Sequence, residues 1–560
     1  MVPVPPEGGC IHAHPQMTTT ATSSASDPDM PPPSRFASLR SRFLPADPVP
    51  LWLGWLAAVV VAGFAGALRL VGLGEPARIY FDETYYAKDA YGLWSHGHEH
   101  QTVENADELL AQGQQEIFTG TGDFVVHPPM GKWLIALGDW LWSLFPFGSA
   151  MTPEGWRFAA ALAGMISVLV LVRLATRLTR SLLLGSAAGL LLALDGLHFT
   201  LSRIAMVDIF LTLFVLAGFA CLVIDRDKTR ERWVRLAEAG VDVTTAGWIG
   251  MRWWRLAAGL CFGTAVGTKW SALFFIAVFG LLTVAWDYGA RRSVGQRRAF
   301  LRWFGIDAVP AFVQTVVVAG LVYLVSWSGW LFTAGGYNRE HSAGTAPDWM
   351  PGFLASSYEA LVGLADYHRR MMEFHNGLTS DHSYISAPWE WLVMRTPVMF
   401  HYDGEAVGCG TGNCVTSVVS IGTPIVWWIS LLAIAVMLAW WLTLRDWRAG
   451  AVLIGVAAGW LPWLAFPDRP TFLFYALPML PFLILAIVLM LGLVMGAGEE
   501  SPRFAPYTRA LGGVVFGVVL LLVVANFAYL YPVMSAYPMD EGLWRERLWF
   551  DVWIYGNGGS

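Results

Sequence analysis

Residues 51–73 read LWLGWLAAVVVAGFAGALRLVGL, an apolar run whose single charged residue is Arg69. A bilayer core is crossed by about 20 helical residues, so this run is long enough to span a membrane. Similar runs recur along the 560 residues, of which 55% are hydrophobic. A soluble core cannot bury that much apolar surface. The sequence therefore predicts an all-α polytopic membrane protein.

Hydropathy predicts about 11 transmembrane helices. Their approximate cores are residues 51–73, 155–176, 182–200, 207–224, 255–268, 270–288, 307–332, 423–444, 450–466, 471–496 and 510–532. A further apolar segment, residues 131–147, is interrupted by Gly138, Asp139 and Pro146. We expect this segment to lie along the membrane surface rather than to cross the bilayer.

The positive charges predict the orientation of the chain. If the N-terminus is cytoplasmic, the tail and the short loops on the cytoplasmic side contain most of the 36 Lys and Arg residues. Positively charged loops remain on the cytoplasmic side of membrane proteins. We therefore expect a multi-pass protein of the plasma membrane, with its N-terminus in the cytoplasm and its C-terminus outside the cell.

This orientation gives two large extracytoplasmic loops and divides the chain. Residues 1–48 are rich in Pro, Ser and Thr and have no apolar core, which predicts a disordered cytoplasmic tail. An N-terminal transmembrane module, residues 49–332, includes the first exterior loop at 74–154. The second exterior loop, 333–420, precedes a C-terminal transmembrane module at 421–560.

Two carboxylates, Asp82 and Glu83, stand side by side in FDETYY at residues 81–86, shortly after the first span. Adjacent acids repel each other and are costly at a membrane boundary, which indicates a function. The structural alternative is that they cap a surface helix. The same loop contains HPPMGK at residues 127–132, whose two prolines favour an extended entry into the next apolar segment.

Other charges lie at the exterior ends of later spans. Arg203 and Asp208, in SRIAMVD, flank the start of the fourth span, and Lys269, in GTKWS, lies between the fifth and sixth spans. A charge at such a depth is unfavourable unless it meets a counter-ion. Arg203 can meet a lipid phosphate or pair with Asp208. The structural alternatives are snorkelling of the cations to water and capping of a helix by Asp208.

Together these motifs resemble the protein O-mannosyltransferases, membrane enzymes of the GT-C type that use a lipid-linked mannose. Matching segments extend from about residue 79 to residue 480. The second loop has no room for the carbohydrate-binding-like domain of eukaryotic members, so the resemblance is to the bacterial branch. One departure is that Ala476 follows Tyr475 where the family usually has a Tyr-His pair, which argues against a catalytic role for that segment.

The resemblance implies transfer of mannose from polyprenyl-phosphate mannose to Ser/Thr hydroxyls of secreted or membrane proteins, with inversion, on the outer face. The reaction needs a base for the hydroxyl and cations for the leaving phosphate. We expect Asp82 to be the base and Glu83 to bind or orient the acceptor, although the sequence leaves open which of them takes the proton. Three cations are expected to bind the donor phosphate: Lys269, Arg203 and Arg469. Three further residues are expected to position the loop or the substrate: His127, Lys132 and Asp208.

The expected partners are the lipid-linked donor, acceptor proteins emerging from the secretion translocon, and the bilayer. A net charge of −6 gives no indication of nucleic-acid binding. We expect no cofactor and no metal, since HGHEH at residues 96–100 is a solvated loop without clear ligand partners. Two alternatives remain open: a related transferase that moves an arabinose-type sugar to a lipid or glycan, and a transporter or flippase.

Two cysteines in the second loop, Cys409 and Cys414, flank the turn-forming sequence GTGN. Because an extracytoplasmic compartment is oxidising, we expect them to form a disulfide. Cys221 and Cys261 lie in predicted spans and are expected to be packing residues.

Overall fold

The computed structural model describes residues 39–40, 43, 49–296, 299–379, 381–410, 412–496 and 506–558. The predicted disordered tail, residues 1–48, therefore lies outside the described residues except at positions 39–40 and 43. The described part of the chain is mostly helical and contains two small antiparallel sheets.

Helices alternate with short strands along the chain. Up to residue 293 the elements are α1 (Leu51–Leu70), α2 (Glu83–His96), β1 (His100–Thr102), α3 (Ala106–Ala111), β2 (Phe118–Gly122), α4 (Met130–Ser143), α5 (Pro153–Thr179), α6 (Leu182–Ala193), α7 (Gly196–Leu201), α8 (Asp208–Glu238), α9 (Trp253–Thr268) and α10 (Ala272–Ser293). Next comes α11, one long helix with two π-helical turns, made of Ala299–Trp303, Phe304–Ala308, Val309–Phe312, Val313–Val317 and Val318–Ser326.

The second half of the chain continues in the same way. It comprises α12 (Ser328–Phe332), α13 (Gly352–Gly377), α14 (Pro388–Trp391), β3 (Val398–Ala406), β4 (Cys414–Ser420), α15 (Pro424–Leu444), α16 (Trp447–Trp460), two 3-10 helices (Leu461–Ala465 and Leu473–Met479), α17 (Leu480–Val494), α18 (Pro506–Met534), β5 (Met539–Asp540), α19 (Glu541–Arg547), α20 (Asp551–Tyr555) and a last 3-10 turn (Gly556–Gly558).

Nine helices of the described chain are long and apolar enough to cross a membrane. They correspond to α1, α5, α8, α10, α11, α15, α16 with its following turn, α17 with its preceding turn, and α18. The third predicted span is broken in the structure, because Asp195 ends α6 and caps α7 by accepting a hydrogen bond from His198 N at 3.1 Å. The fifth is α9, with 16 residues. The all-α membrane fold is confirmed, whereas the count of about 11 spans stays a prediction.

The spans differ in how much of their surface other parts of the protein cover. The apolar stretch of residues 473–494 is 89% buried, that of α8 is 72% buried and that of α5 is 67% buried. In α11 and α18 the corresponding value is 22%. A helix that is apolar all round is stable in the interior of a bundle. The helices α5, α8 and α17 therefore form the core, and α11 and α18 lie at the periphery.

The two large loops pack against each other on one side of this bundle. His98 Nδ1 in the first loop lies 2.9 Å from Thr333 Oγ1, and the hydroxyl of Tyr367 in α13 accepts a hydrogen bond from Val125 N at 2.9 Å. In the sheet β3-β4-β5, the C-terminal strand β5 pairs with β4 of the second loop. Both loops and the C-terminal segment thus share one side of the protein.

The structure joins Cys409 and Cys414 by a disulfide, with their Cα atoms 5.7 Å apart. This bond closes the turn between β3 and β4. Cys221 of α8 and Cys261 of α9 are free.

We expect a membrane-impermeant maleimide to label Cys409 in intact cells only after reduction, because a disulfide does not react with maleimide. Mass spectrometry of the peptide that contains Cys409 measures the labelling. Cys10, in the predicted cytoplasmic tail, is the control and should react only after permeabilisation. Labelling of Cys409 without reduction would contradict the disulfide. Labelling of reduced Cys409 that also requires permeabilisation would contradict its exterior location.

Candidate functional site

The turn that connects the segment after α1 to α2 determines the position of Asp82. Phe81 has a φ of 52°, in the left-handed region that residues other than glycine rarely adopt. Its ring packs on Phe400 of β3 and on Phe474, with ring centroids 4.2 and 5.9 Å apart. Helix α2 begins directly after this turn, with Asp82 at the N-cap and Glu83 in the first turn. Both acids thus lie at the positive end of the helix dipole.

Glu83 is fully buried and forms a bidentate ion pair with Arg157 of α5. Arg157 Nε lies 2.8 Å from Oε1 and Nη2 lies 2.9 Å from Oε2. Oε1 also accepts a hydrogen bond from Ala205 N at 3.0 Å. The expectation that Glu83 binds the acceptor is therefore corrected, because its carboxylate is inaccessible and already paired. It ties α2 to α5 and to the turn before α8.

Arg203 also has a structural role. Its Nη1 donates to the carbonyl oxygens of Arg69 at 2.8 Å and Val71 at 2.6 Å, and its Nη2 donates to that of Gly72 at 2.6 Å. The last carbonyls of a helix have no partner within the helix and form the negative end of its dipole. The expectation that Arg203 binds the phosphate or pairs with Asp208 is corrected. Its buried guanidinium group caps the end of α1 that leads into the first large loop.

The carboxylate of Asp82, in contrast, accepts no hydrogen bond from any residue that the structure describes. Burial raises its pKa to about 6, while the positive charge of Lys269 lowers the pKa and the negative charge of Asp208 raises it. An unpaired carboxylate with a pKa close to neutrality is suited to accept a proton.

Lys269, in the turn between α9 and α10, brings a positive charge to this site. Its Nζ lies 2.8 Å from Oδ1 of Asp208 and 4.2 Å from the ring centroid of Tyr475. Burial lowers the pKa of this ammonium group, but Asp208, Tyr475 and Asp82 together outweigh that effect, so the pKa is raised and the group is charged. Asp208 Oδ2 is buried without a partner in the described part of the chain. The structure thus brings together Asp82, Asp208 and Lys269.

His127 borders the same site. Its ring centroid lies 6.2 Å from that of Tyr86 and 5.6 Å from that of His375 in α13. Burial holds the pKa of His127 well below its usual range, and the positive charges of Lys269 and other neighbours add to this effect. His127 is therefore neutral at physiological pH and can both donate and accept a hydrogen bond.

The two remaining predicted cations differ in their surroundings. Arg469 Nη1 donates to the carbonyl of His375 at 2.6 Å, while its Nε has no partner among the described residues. Lys132 is fully buried, pairs with Glu99 and lies 3.6 Å from Asp89 Oδ2. Lys132 therefore joins α4 to α2 and to the residue before β1, whereas Arg469 lies beside His375 with its Nε buried and without a described partner.

Two family models match this chain. Residues 118–316 match "Dolichyl-phosphate-mannose-protein mannosyltransferase", and residues 361–553 match "C-terminal four TMM region of protein-O-mannosyltransferase". The chain is 35% identical over 547 residues to the polyprenol-phosphate-mannose–protein mannosyltransferase of Mycolicibacterium smegmatis, covering 95% of this chain and 100% of that relative. The chain belongs to the protein O-mannosyltransferase family.

Two further similarities agree with this assignment. The mannosyltransferase of the same name from Mycobacterium tuberculosis is 35% identical over 512 residues, covering 89% of this chain and 92% of that relative. The Saccharomyces cerevisiae protein O-mannosyltransferase Pmt1-Pmt2 complex bound to the sugar donor superposes with a TM-score of 0.67 at 15% identity, covering 93% of this chain and 95% of that one. The structural similarity shows a shared fold. The similarity in sequence to these mannosyltransferases shows that this protein is a glycosyltransferase.

Sequence reasoning missed three residues of the mannosyltransferase site. Tyr86 follows Asp82 by one helical turn and therefore lies on the same face of α2, a signal that was present in the sequence. Tyr475 was set aside because the Tyr-His pair of the family is incomplete here. His375 comes from α13 of the second loop, and only tertiary packing brings it to the site.

The site offers one carboxylate without a hydrogen-bonding partner and one charged lysine near it. Within the described ranges, no group of three or more His, Cys, Asp or Glu side chains is arranged to hold a metal ion. This arrangement can remove a proton from a hydroxyl group and can bind an anion.

Glu83→Gln should destabilise the folded protein, because it leaves Arg157 buried without a counter-charge, at a cost of about 3–5 kcal/mol. Asp82→Asn, the matched control one residue away, should leave the unfolding temperature unchanged, since its carboxylate accepts no hydrogen bond from the described protein. Thermal unfolding of the purified protein in detergent measures both. An equal loss of stability in the two variants, or no loss in Glu83→Gln, would contradict a structural role for Glu83.

Proposed function

We propose that this protein transfers mannose from polyprenyl-phosphate mannose to Ser/Thr hydroxyls of proteins on the outer face of the plasma membrane. The observation that carries the proposal is the unpaired carboxylate of Asp82 beside the charged Lys269, in a chain of the protein O-mannosyltransferase family. The relatives named above are polyprenol-phosphate-mannose–protein mannosyltransferases, which supports the same donor and the same class of acceptor here.

In the proposed reaction Asp82 is the general base. The acceptor hydroxyl oxygen attacks C1 of the mannose, and Asp82 takes the proton of that hydroxyl. The bond between C1 and the phosphate oxygen breaks, and its electron pair leaves with the polyprenyl phosphate. A single direct displacement inverts the configuration at C1 and forms no covalent intermediate with the enzyme.

Lys269 binds the donor phosphate in this scheme. Its ammonium group has one close carboxylate partner, Asp208 Oδ1 at 2.8 Å, and retains further N–H donors for an anion. Arg469, with a nitrogen free of described partners, is the second cation for the phosphate. Charge-assisted hydrogen bonds of this kind are stronger than neutral ones, so they stabilise the charge that develops on the leaving phosphate.

We further propose that the N-terminus is cytoplasmic, that the C-terminus is extracytoplasmic and that acceptors reach the site as they emerge from the secretion translocon. The positive charges of the short loops support this orientation. Unfolded acceptor segments expose their Ser and Thr hydroxyls, which favours transfer during translocation. The alternative of a flippase is less compatible with the grouping of Asp82, Asp208 and Lys269 at one end of the spans, since a transport path requires charges across the membrane.

Asp82→Asn should lower mannosyl transfer about 10²–10⁴-fold, because an amide cannot accept the proton of the hydroxyl. The measurement is transfer of radiolabelled mannose from polyprenyl-phosphate mannose to a Ser/Thr-containing peptide by purified enzyme. Asp468→Asn is the matched control, because Asp468 is exposed beside Arg469 and should retain full activity. Near-normal turnover in Asp82→Asn would refute the assignment of the base. Absence of mannosyl transfer by the unmodified protein would refute the proposed function.

The activity should fall in acid with the titration of Asp82. A base acts only in its deprotonated form, and burial raises the pKa of Asp82 to about 6. The kcat/KM of the free enzyme should therefore be constant above about pH 7 and fall tenfold per pH unit well below about pH 6. Transfer assays between pH 4.5 and 8 with buffers of equal ionic strength test this. A profile that is flat down to pH 4.5 would contradict a base with a raised pKa.

A further inference from the structure

Three polar side chains near Asp82 have no hydrogen-bonding partner in the described part of the chain. In the part of the chain that the structure describes, the hydroxyl groups of Tyr86 and Tyr475 and both ring nitrogens of His127 make no hydrogen bond. All three side chains are nevertheless buried or half-buried. Their polar atoms remain accessible to solvent, so water or a polar ligand that enters the site can complete their hydrogen bonds.

These side chains lie around the two groups that the proposed reaction uses. Tyr86 follows Asp82 by one turn of α2, and its ring lies 6.2 Å from that of His127. The ring of Tyr475 lies beneath the ammonium group of Lys269, 4.2 Å from Nζ to the centroid. A donor whose phosphate meets Lys269 and whose C1 faces the hydroxyl held by Asp82 therefore has its sugar ring among these three side chains.

The chemistry of the three groups matches that of sugar hydroxyls. A tyrosine hydroxyl both donates and accepts, and a neutral imidazole donates from one nitrogen and accepts at the other. A sugar hydroxyl likewise donates and accepts, whereas a phosphate oxygen accepts only. We propose that Tyr86, His127 and Tyr475 bind the hydroxyl groups of the donor sugar and thereby determine which sugar is transferred. This subsite rests on the proposed function, since it takes Asp82 as the base and Lys269 as the phosphate ligand.

A subsite of this kind discriminates strongly against a sugar that lacks a hydroxyl group. Binding of the sugar removes water from the polar groups of the site. A group that then finds no hydrogen-bonding partner on the sugar costs free energy. Sites built to hydrogen-bond a hydroxyl therefore reject analogues without it far more effectively than apolar pockets reject an extra methylene. An arabinose-type pentose lacks the hydroxymethyl group of mannose, so the same side chains would separate the two donors.

The test measures kcat/KM for polyprenyl-phosphate mannose and for three analogues whose mannose lacks the hydroxyl at C2, C4 or C6. The enzymes are the unmodified protein, Tyr86→Phe, Tyr475→Phe and His127→Phe. The control is Tyr323→Phe, since the Tyr323 hydroxyl already bonds Trp270 Nε1 at 3.1 Å and His368 Nε2 at 2.5 Å. The unmodified protein should use at least one analogue about tenfold or more less efficiently than mannose.

Each of the three variants should lose about tenfold or more on mannose and almost nothing on the analogue that lacks the hydroxyl it binds. In each variant, the ratio of kcat/KM for mannose to kcat/KM for this analogue should thus approach one. In the control Tyr323→Phe, the same ratios should equal those of the unmodified protein. These ratios do not depend on how much of a variant is folded. If the variants lower transfer from all four donors by one common factor, the three side chains do not read the sugar and the proposal is wrong. If the unmodified protein transfers none of the four sugars, the proposed function itself is refuted.

Discussion

The buried ion pair between Glu83 and Arg157 is the constraint on which the geometry of the site depends. It joins α2 to α5, and through Ala205 N it also joins α2 to the turn that leads into α8. The turn before α2 has a positive φ at Phe81, and the ion pair holds the first turn of this helix against α5. The two adjacent acids thus differ: Glu83 is paired with Arg157, whereas the carboxylate of Asp82 accepts no hydrogen bond from the described protein, and we propose it as the base.

The distinction between these charges follows from counting their hydrogen-bonding partners. Arg203 donates to the last carbonyls of α1 and Lys132 pairs with Glu99, and both side chains are buried. Asp82 has no such partner in the described chain, and Lys269 has one carboxylate at hydrogen-bonding distance. Burying a charged side chain in a membrane protein costs free energy, so a buried charge must have a role. The cost does not distinguish a structural role from a chemical one. The partners make that distinction.

The same reasoning explains how far the sequence could predict this protein. The spans follow from apolar length, which depends on neighbouring residues alone, so long helices such as α5 and α15 were predictable to within a few residues. Asp82 and Lys269 could be found because each is a charge at the end of a span. The pairing of Glu83 with Arg157 joins residues that are 74 positions apart, and no local pattern reports it. His375 reaches the site only because α13 packs against the first loop, which again depends on long-range contacts.

In the proposed reaction, Lys269 and Arg469 are the only cations that the donor phosphate needs. Asp208 balances Lys269, so the negative charge of Asp82 and that of the donor phosphate face the positive end of this pair and Arg469. During the proposed displacement Asp82 gains a proton while the leaving phosphate gains negative charge. The total charge of the site stays constant, and only its position changes, from the carboxylate toward the phosphate. Fixed groups that stabilise negative charge on the phosphate more than on the carboxylate of Asp82 lower the activation barrier, and they do so without reorganising. Lys269 does so if it lies closer to the phosphate than to Asp82, and its close contact with Asp208 and Tyr475 holds it in place.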